Sequence, residues 1–271
     1  MTTFAKEVCS GRLPDTASKP SVTAEPVQLP LPLRGSRKIR SRSSISARGV
    51  ILARFRNSTR LAQVGYESTL ERAFVLIALA DCNTTDIVEQ PFTLRFVDSE
   101  SRPRRYTFDY LVTMRDGRRV AVEVKNSQQA SKPKVISKVR DAASRLVPDY
   151  ADEVVLFTEK NFTRTQVENA EQFLNCQREA DPNADNRLLA VISSLQGSMS
   201  VGDLVKISGL AERGYPAVVR AMYSNLLHWK MDALIGPKMM VSREVMHCTP
   251  PALNSPASTG SPATGSSINP L

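Results

Sequence analysis

The chain has 271 residues, 41% of them apolar, which allows one large or two small domains with a real core. Lys and Arg number 36 against 27 Asp and Glu, and residues 1–60 hold the whole excess of +9, with 12 basic and 3 acidic side chains. No apolar run is longer than Ala73 to Ala80, no signal-peptide order opens the chain, and four scattered cysteines form no CxxC pair; a membrane span, a secreted disulfide framework and a zinc site are therefore not expected, and a cytoplasmic setting is.

Residues 1–46 read as a disordered basic arm, with prolines from Pro14 to Pro32 followed by the run Arg34 to Arg42. Nine basic residues and no acid lie between Arg34 and Arg60, a pattern that often lies on nucleic acid. Residues 47–178 follow a helix, three strands, helix, strand, helix order, an α/β pattern. The first helix is predicted over Ser68 to Ala80, with Ser68 as N-cap. A strand spans Ile87 to Val97, placed at an edge or bulged by Pro91. Tyr106 to Met114 and Val120 to Lys125 alternate as strands around the turn Arg115-Asp116-Gly117. Pro133 to Leu146, Glu153 to Thr158 and Thr163 to Leu174 read as helix, strand and helix.

The acid- and Asn-rich stretch 179–186 reads as a linker. Residues 187–245 then resemble a winged helix-turn-helix, with helices at Arg187 to Leu195, Ser200 to Ser208 and Pro216 to Trp229. The short runs Met231 to Ile235 and Met239 to Ser242 form its ribbon. Val218, Met222, Leu226, His228 and Trp229 are expected in its core, while Lys206, Arg213, Arg220 and Lys230 could meet phosphate. Either DNA or a protein could be what this domain docks on. Residues 246–271, rich in Pro, Ser and Thr, read as a disordered tail. With His228 and His247 the only histidines, catalysis is left to carboxylates and lysine.

The hairpin carries the chemistry. A two-residue turn at Asp116-Gly117 would put Asp109 and Glu123 on opposite faces and mix apolar with charged residues on each. A three-residue turn with Gly117 left-handed pairs Phe108 with Val124, Tyr110 with Val122 and Val112 with Val120, a wholly apolar face. Asp109 then faces Glu123, about 5 Å away, with Lys125 beside them. Two such carboxylates repel unless a cation sits between them, and hard oxygen donors suit Mg²⁺ or Mn²⁺. Taken alone, the hairpin is equally well read as a solvated surface ion pair. Val120, Val122 and Val124 favour a central strand, where a polar face needs a reason. Glu67 and Glu71, one helical turn apart, offer a third acid, although each also suits a helix N-terminus.

Four segments in order, Tyr66-Glu67-Ser68-Thr69-Leu70-Glu71-Arg72, Val88-Glu89-Gln90-Pro91-Phe92, Tyr106 to Val112 and Val122-Glu123-Val124-Lys125, resemble the TnsA-type transposon-end endonucleases. The resemblance spans about residues 47–245. It implies a restriction-endonuclease-like core, a mixed sheet flanked by helices, followed by a small winged-helix domain. It further implies that Glu71, Asp109 and Glu123 are catalytic acids that hold Mg²⁺, with Mn²⁺ able to substitute, and that Lys125 is the catalytic lysine. Some members carry Gln where Glu123 stands, and Gln90 is a further candidate. Phe108 replaces the Pro of the wider nuclease signature. The implied activity is Mg-dependent cleavage of the 5′ strands of double-stranded DNA at transposon ends, in the bacterial cytoplasm. The implied partners are a separate transposase (recombinase) subunit and an ATPase regulator. Two other readings are a stand-alone restriction, repair or junction-resolving nuclease of the same fold, and a non-catalytic DNA- or protein-binding adaptor.

The arm yields a test of its own. Removing residues 1–46 is expected to flatten the salt dependence of duplex DNA binding, measured as the slope of log affinity against log salt.

Overall fold

Valines on alternate positions and one glycine-centred turn build the middle of the protein. A computed structural model describes residues 29–36, 47–55, 58, 60–98, 101–146, 150–230 and 232–243. Strands β1 (Gly49–Arg54) and β2 (Leu61–Tyr66) form an antiparallel hairpin, and α1 (Thr69–Ala80) follows. Ser68 caps α1 as expected, its hydroxyl accepting from the Glu71 N–H at 3.1 Å. Next come β3 (Thr84–Glu89), β4 (Leu94–Val97), β5 (Pro103–Tyr106), β6 (Tyr110–Met114) and β7 (Arg119–Val124). The short α2 (Ser127–Ala130), α3 (Pro133–Leu146), β8 (Glu153–Phe157) and α4 (Arg164–Arg178) complete this part.

The main sheet has the order β3-β6-β7-β8, with β7 and β8 parallel and the other pairs antiparallel. It is therefore a mixed sheet with helices on both faces, as expected. On one face lie α1, α4 and the β1–β2 hairpin, where Phe74, Val75 and Leu79 pack on Tyr110, Val112, Val122 and Val124. On the other lies α3, with Ala142 and Leu146 against Phe108 and Ala121. Both faces are covered over the central strands β6 and β7, whose inward residues Tyr110, Val112, Val120 and Val122 are buried.

Two strands differ from expectation. The predicted Ile87–Val97 strand breaks after Glu89, at Gln90-Pro91, and β4 leaves to pair with β5 in a separate two-stranded ribbon. The predicted Tyr106–Met114 strand likewise breaks between Tyr106 and Tyr110. Pro91 stands before β4 and Pro103 begins β5 at the far end of the ribbon, opposite Val97, where a missing N–H is tolerated.

Part of the expected basic arm is described. Residues 29–36 lie beside β2, where the Leu31 N–H donates to the Leu61 carbonyl at 2.7 Å. Arg34 forms a two-pronged ion pair with Asp86. The rest of the arm, residues 1–28 and 37–46, and the tail beyond residue 243 lie outside the described residues.

After α4 the chain forms α5 (Pro182–Ser193), β9 (Ser198–Ser200), α6 (Val201–Ser208), α7 (Gly214–Tyr223), β10 (His228–Trp229) and β11 (Met240–Ser242). The three short strands form one antiparallel sheet, β10-β11-β9. The stretch 179–186, read as a linker, instead holds the start of α5. Asp181 caps that helix and Pro182 begins it, both of which are helix-starting signals. Met231–Ile235 holds no named strand among its described residues; Met239–Ser242 holds β11. Val218 and Met222 are fully buried, whereas Leu226 and His228 are exposed, and Trp229 packs edge-on against Phe173. Arg220 is no surface cation. It is buried, bonds Asp185 with two nitrogens and reaches the Cys176 and Glu179 carbonyls. No helix among the described residues is long and apolar enough to cross a membrane.

Helix α4 belongs to both parts. Ala170 and Leu174 pack on the main sheet's side and Phe173 joins the second core with Leu188, Val218 and Met222. The buried Asn169 side chain accepts from the Ile235 N–H and donates to the Ala233 carbonyl, each at 2.9 Å. Asn169→Ala leaves both backbone groups without that partner. The expected loss is about 1–3 kcal/mol, read as a shifted midpoint in urea denaturation.

Candidate active site

The β6–β7 turn has the three residues its sequence demands. Gly117 sits at φ +88°, Met114 and Arg118 close the loop, and Tyr110 pairs with Val122 and Val112 with Val120. That register directs Asp109 and Glu123 to the same end of the sheet. The ladder then stops one residue short of expectation. The chain bends at Asp109, whose Oδ2 accepts the Val124 N–H at 2.8 Å in place of a backbone carbonyl. Phe108 therefore does not pair with Val124. It turns to the opposite face and packs with Tyr106, Ala121 and Leu146.

Lys125 follows β7 directly, and its N–H still donates to the Phe157 carbonyl of β8 at 3.0 Å. Its ammonium lies 2.7 Å from Glu123 Oε1 and 3.4 Å from Asp109 Oδ2, so one cation serves both carboxylates. Burial alone would lower the Lys125 pKa, but Asp109 and Glu123 together hold it above its ordinary value. Glu123 is raised, first by burial and then by the Asp109 charge, against the pull of Lys125 and of a hydrogen bond from Tyr106. Burial and the Glu123 charge in turn keep the Tyr106 hydroxyl firmly protonated.

Glu71 is brought to the same end by α1, but it faces its own helix. Its Oε2 accepts from the Glu67 N–H at 2.7 Å and its Oε1 from the Ser68 hydroxyl at 3.1 Å. Tyr110, donating to the Gly65 carbonyl at 2.8 Å, places its oxygen 3.4 Å from Glu71 Oε2. Burial raises the Glu71 pKa and Asp109 adds to the rise, so the two carboxylates sense each other. Glu67 contributes its backbone N–H to this cap.

Gln90 meets Asp109 through the backbone, its N–H donating to the Asp109 carbonyl at 2.7 Å. Its φ of 39° lies in the left-handed region that non-glycine residues rarely adopt, a strain that tends to accumulate at functional sites. Beside it, Glu89 Oε1 accepts from the backbone N–H groups of Arg34 and Gly35, each at 2.9 Å. A Cβ on Gly35 would stand 2.9 Å from the Glu89 carbonyl oxygen, so that approach needs glycine.

The sequence reading assigned no role to the hydroxyls of Tyr106 and Tyr110, nor to Glu89. Tyr110 is placed on the hairpin's apolar face by its pairing with Val122, although a buried tyrosine hydroxyl ordinarily finds a partner.

Among the described residues, no group of three or more His, Cys, Asp or Glu side chains gathers as a cluster able to hold a metal ion. The donor chemistry at Asp109 and Glu123 nonetheless suits a hard divalent cation. Glu123 Oε2 is buried with no hydrogen-bond partner, which is what an oxygen awaiting a cation looks like.

A mixed sheet flanked by helices, with two acids and a lysine converging at the ends of its central strands, is consistent with a restriction-endonuclease-like fold. Residues 81–166 match the family model described as TnsA-like endonuclease N terminal. The matched residues include Gln90, Asp109, Glu123 and Lys125; Glu67, Glu71 and everything beyond the start of α4 lie outside them. The likeness is to a nuclease related to a transposase subunit. No curated protein matches the chain.

Lys125 is the only cation touching both carboxylates among the described residues. In the full-length Lys125→Met protein, studied with chelator, the Glu123 pKa is therefore expected to rise further, read by carboxyl-carbon NMR titration. An unmoved titration would show that the ammonium does not balance the pair.

Proposed function

We propose that this protein is a metal-dependent DNA endonuclease that cuts the 5′ strands at the ends of a mobile element and acts beside a separate recombinase. The observation that carries the reading is the Lys125 ammonium between Asp109 and Glu123, with an orphaned Glu123 oxygen, inside the segment that matches a TnsA-like endonuclease. A stand-alone nuclease or a binding adaptor would need no recombinase, and no feature of the site favours either over the family's reading.

Asp109 and Glu123 are the residues that would hold Mg²⁺ or Mn²⁺, and Glu71 would join them by turning from its helix cap. A hard divalent ion held there would supply a water of lowered pKa and offset charge on the phosphate. The Val124 N–H fixes Asp109 in place, leaving its other oxygen available. Tyr106 orients Glu123 and favours its charged form. Lys125, protonated through its neighbours, supports the negative charge that grows on the scissile phosphate.

The order helix, strand, helix, helix, strand, strand from α5 to β11 supports a winged-helix reading of the second part. Three of the four cations it could offer to phosphate are already engaged: Lys206 pairs with Asp203, Arg213 with Asp181 and Arg220 with Asp185. That favours docking on the recombinase or on an ATPase regulator over reading DNA.

Asp109→Ala is expected to abolish 5′-strand cleavage in a complete system with Mg²⁺, leaving products joined at the 3′ strands and still attached to the donor. Lys125→Ala should lose nearly as much while sparing metal binding. Glu71→Ala should be severe and Glu67→Ala mild, since the latter keeps the backbone N–H that Glu71 uses. Double-strand release by Asp109→Ala, followed on strand-specific end-labelled DNA, would overturn the reading.

A further inference from the structure

The near-neutral charge of the chain beyond residue 60 conceals a separation. Residues 92–146 carry 13 Lys and Arg against 6 Asp and Glu, whereas residues 150–190 carry 4 against 8. The fold draws the basic part together. Helix α3 lays Val139, Ala142 and Leu146 on the sheet and on the β4–β5 ribbon, where they meet Phe92, Leu94 and Phe96. Its exposed side presents Lys134, Lys138 and Arg145, one helical turn or two apart.

The middle of this row lies beside the candidate active site. Lys138 holds its ammonium 5.0 Å above the Tyr106 ring, and Tyr106 in turn senses the charge of Glu123. The row ends at an open groove of about 570 Å³ between the ribbon and the end of α3, lined by Arg95, Arg145, Phe92, Phe96 and Tyr150. Across the ribbon Arg95 stands opposite Arg105, and both are exposed. Among the described residues none of Lys134, Arg95, Arg105 and Arg145 has a carboxylate partner; Arg102 and Arg104, by contrast, are bound to Asp98. Like charges kept unpaired on one exposed surface repel, so their cost is offset only when an anion covers them.

We infer that this α3–ribbon surface is the track on which the phosphate backbone of duplex DNA lies as it leaves the Asp109–Glu123–Lys125 centre; the inference rests on the nuclease reading above and adds where the substrate runs. Lys134 and Arg145 are separated by about 16 Å of helix, the axial rise of about five base pairs, so the row can follow one strand. The surface is distinct from the N-terminal arm and from the α5–β11 part, and it supplies grip within the catalytic part itself.

The test is binding of a fluorescent duplex to the full-length protein in chelator, where no strand is cut, across a salt series. The triple variant Lys134→Ala, Lys138→Ala, Arg145→Ala is expected to bind at least about tenfold more weakly at low salt. Its slope of log affinity against log salt should shrink by about two to three, as for the loss of that many phosphate contacts. Arg95→Ala with Arg105→Ala should act in the same direction. Lys160→Ala with Arg164→Ala, in the acidic part of the sequence, should leave affinity and slope unchanged, and circular dichroism should report native folding for all three variants. A triple variant that folds yet binds with the parental affinity and slope overturns the inference, as does one that keeps DNA binding but loses association with an acidic protein partner. Asp109→Asn separates the two readings. If the triple variant loses affinity while the parent protein, in the complete system with the recombinase and Mg²⁺, cuts no DNA, the track stands and the nuclease reading falls; if Asp109→Asn binds normally and fails to cut in that system while the triple variant binds normally, the reverse holds.

Discussion

Two carboxylates cannot be held together at the ends of buried strands unless something positive stands between them. Here that role falls to the Lys125 ammonium, within reach of Asp109 and Glu123 at once. Most of the surrounding architecture follows from this constraint. Apolar helices cover both faces of the sheet, which removes water and strengthens every charge interaction left at its end. The same burial raises Glu123 and would lower Lys125 if the acids were absent. The glutamate lies on β7 and the lysine two residues on, just past its end, where the chain still bonds β8, so β-sheet alternation places them on the same side.

Much of this was legible in the residues. One wholly apolar face of the hairpin is enough to require both the three-residue turn and the positive φ of Gly117. Ser68 was legible as a cap because a hydroxyl before an apolar helix has few other uses. The bend at Asp109 was not. Alternation assumes that backbone groups pair with backbone groups, whereas here a side-chain oxygen captures the Val124 N–H and releases Phe108 to the other face. The departure of β4 and β5 was hidden for a related reason. Pro91 was read as a blemish within one strand, when it marks the place where that strand ends.

Charge was the feature that summation obscured most. The balanced total beyond residue 60 comes from a basic segment and an acidic one that follow each other in the chain. In the second part the opposite holds, since Arg213 and Arg220 looked available in sequence and are tied to Asp181 and Asp185 in space.

Helix α4 bears on how such a chain can be recombined. Ala170 and Leu174 face one core and Phe173 the other, and Asn169 grips the loop before β11. A helix that is read from both sides has no neutral seam. An exchange of the C-terminal part between related proteins would have to cut before α4 and re-match its inner face, or cut after it and re-match its outer one. Either junction calls for compensating changes on the retained side, so the two parts are expected to have diversified as a unit rather than as interchangeable modules.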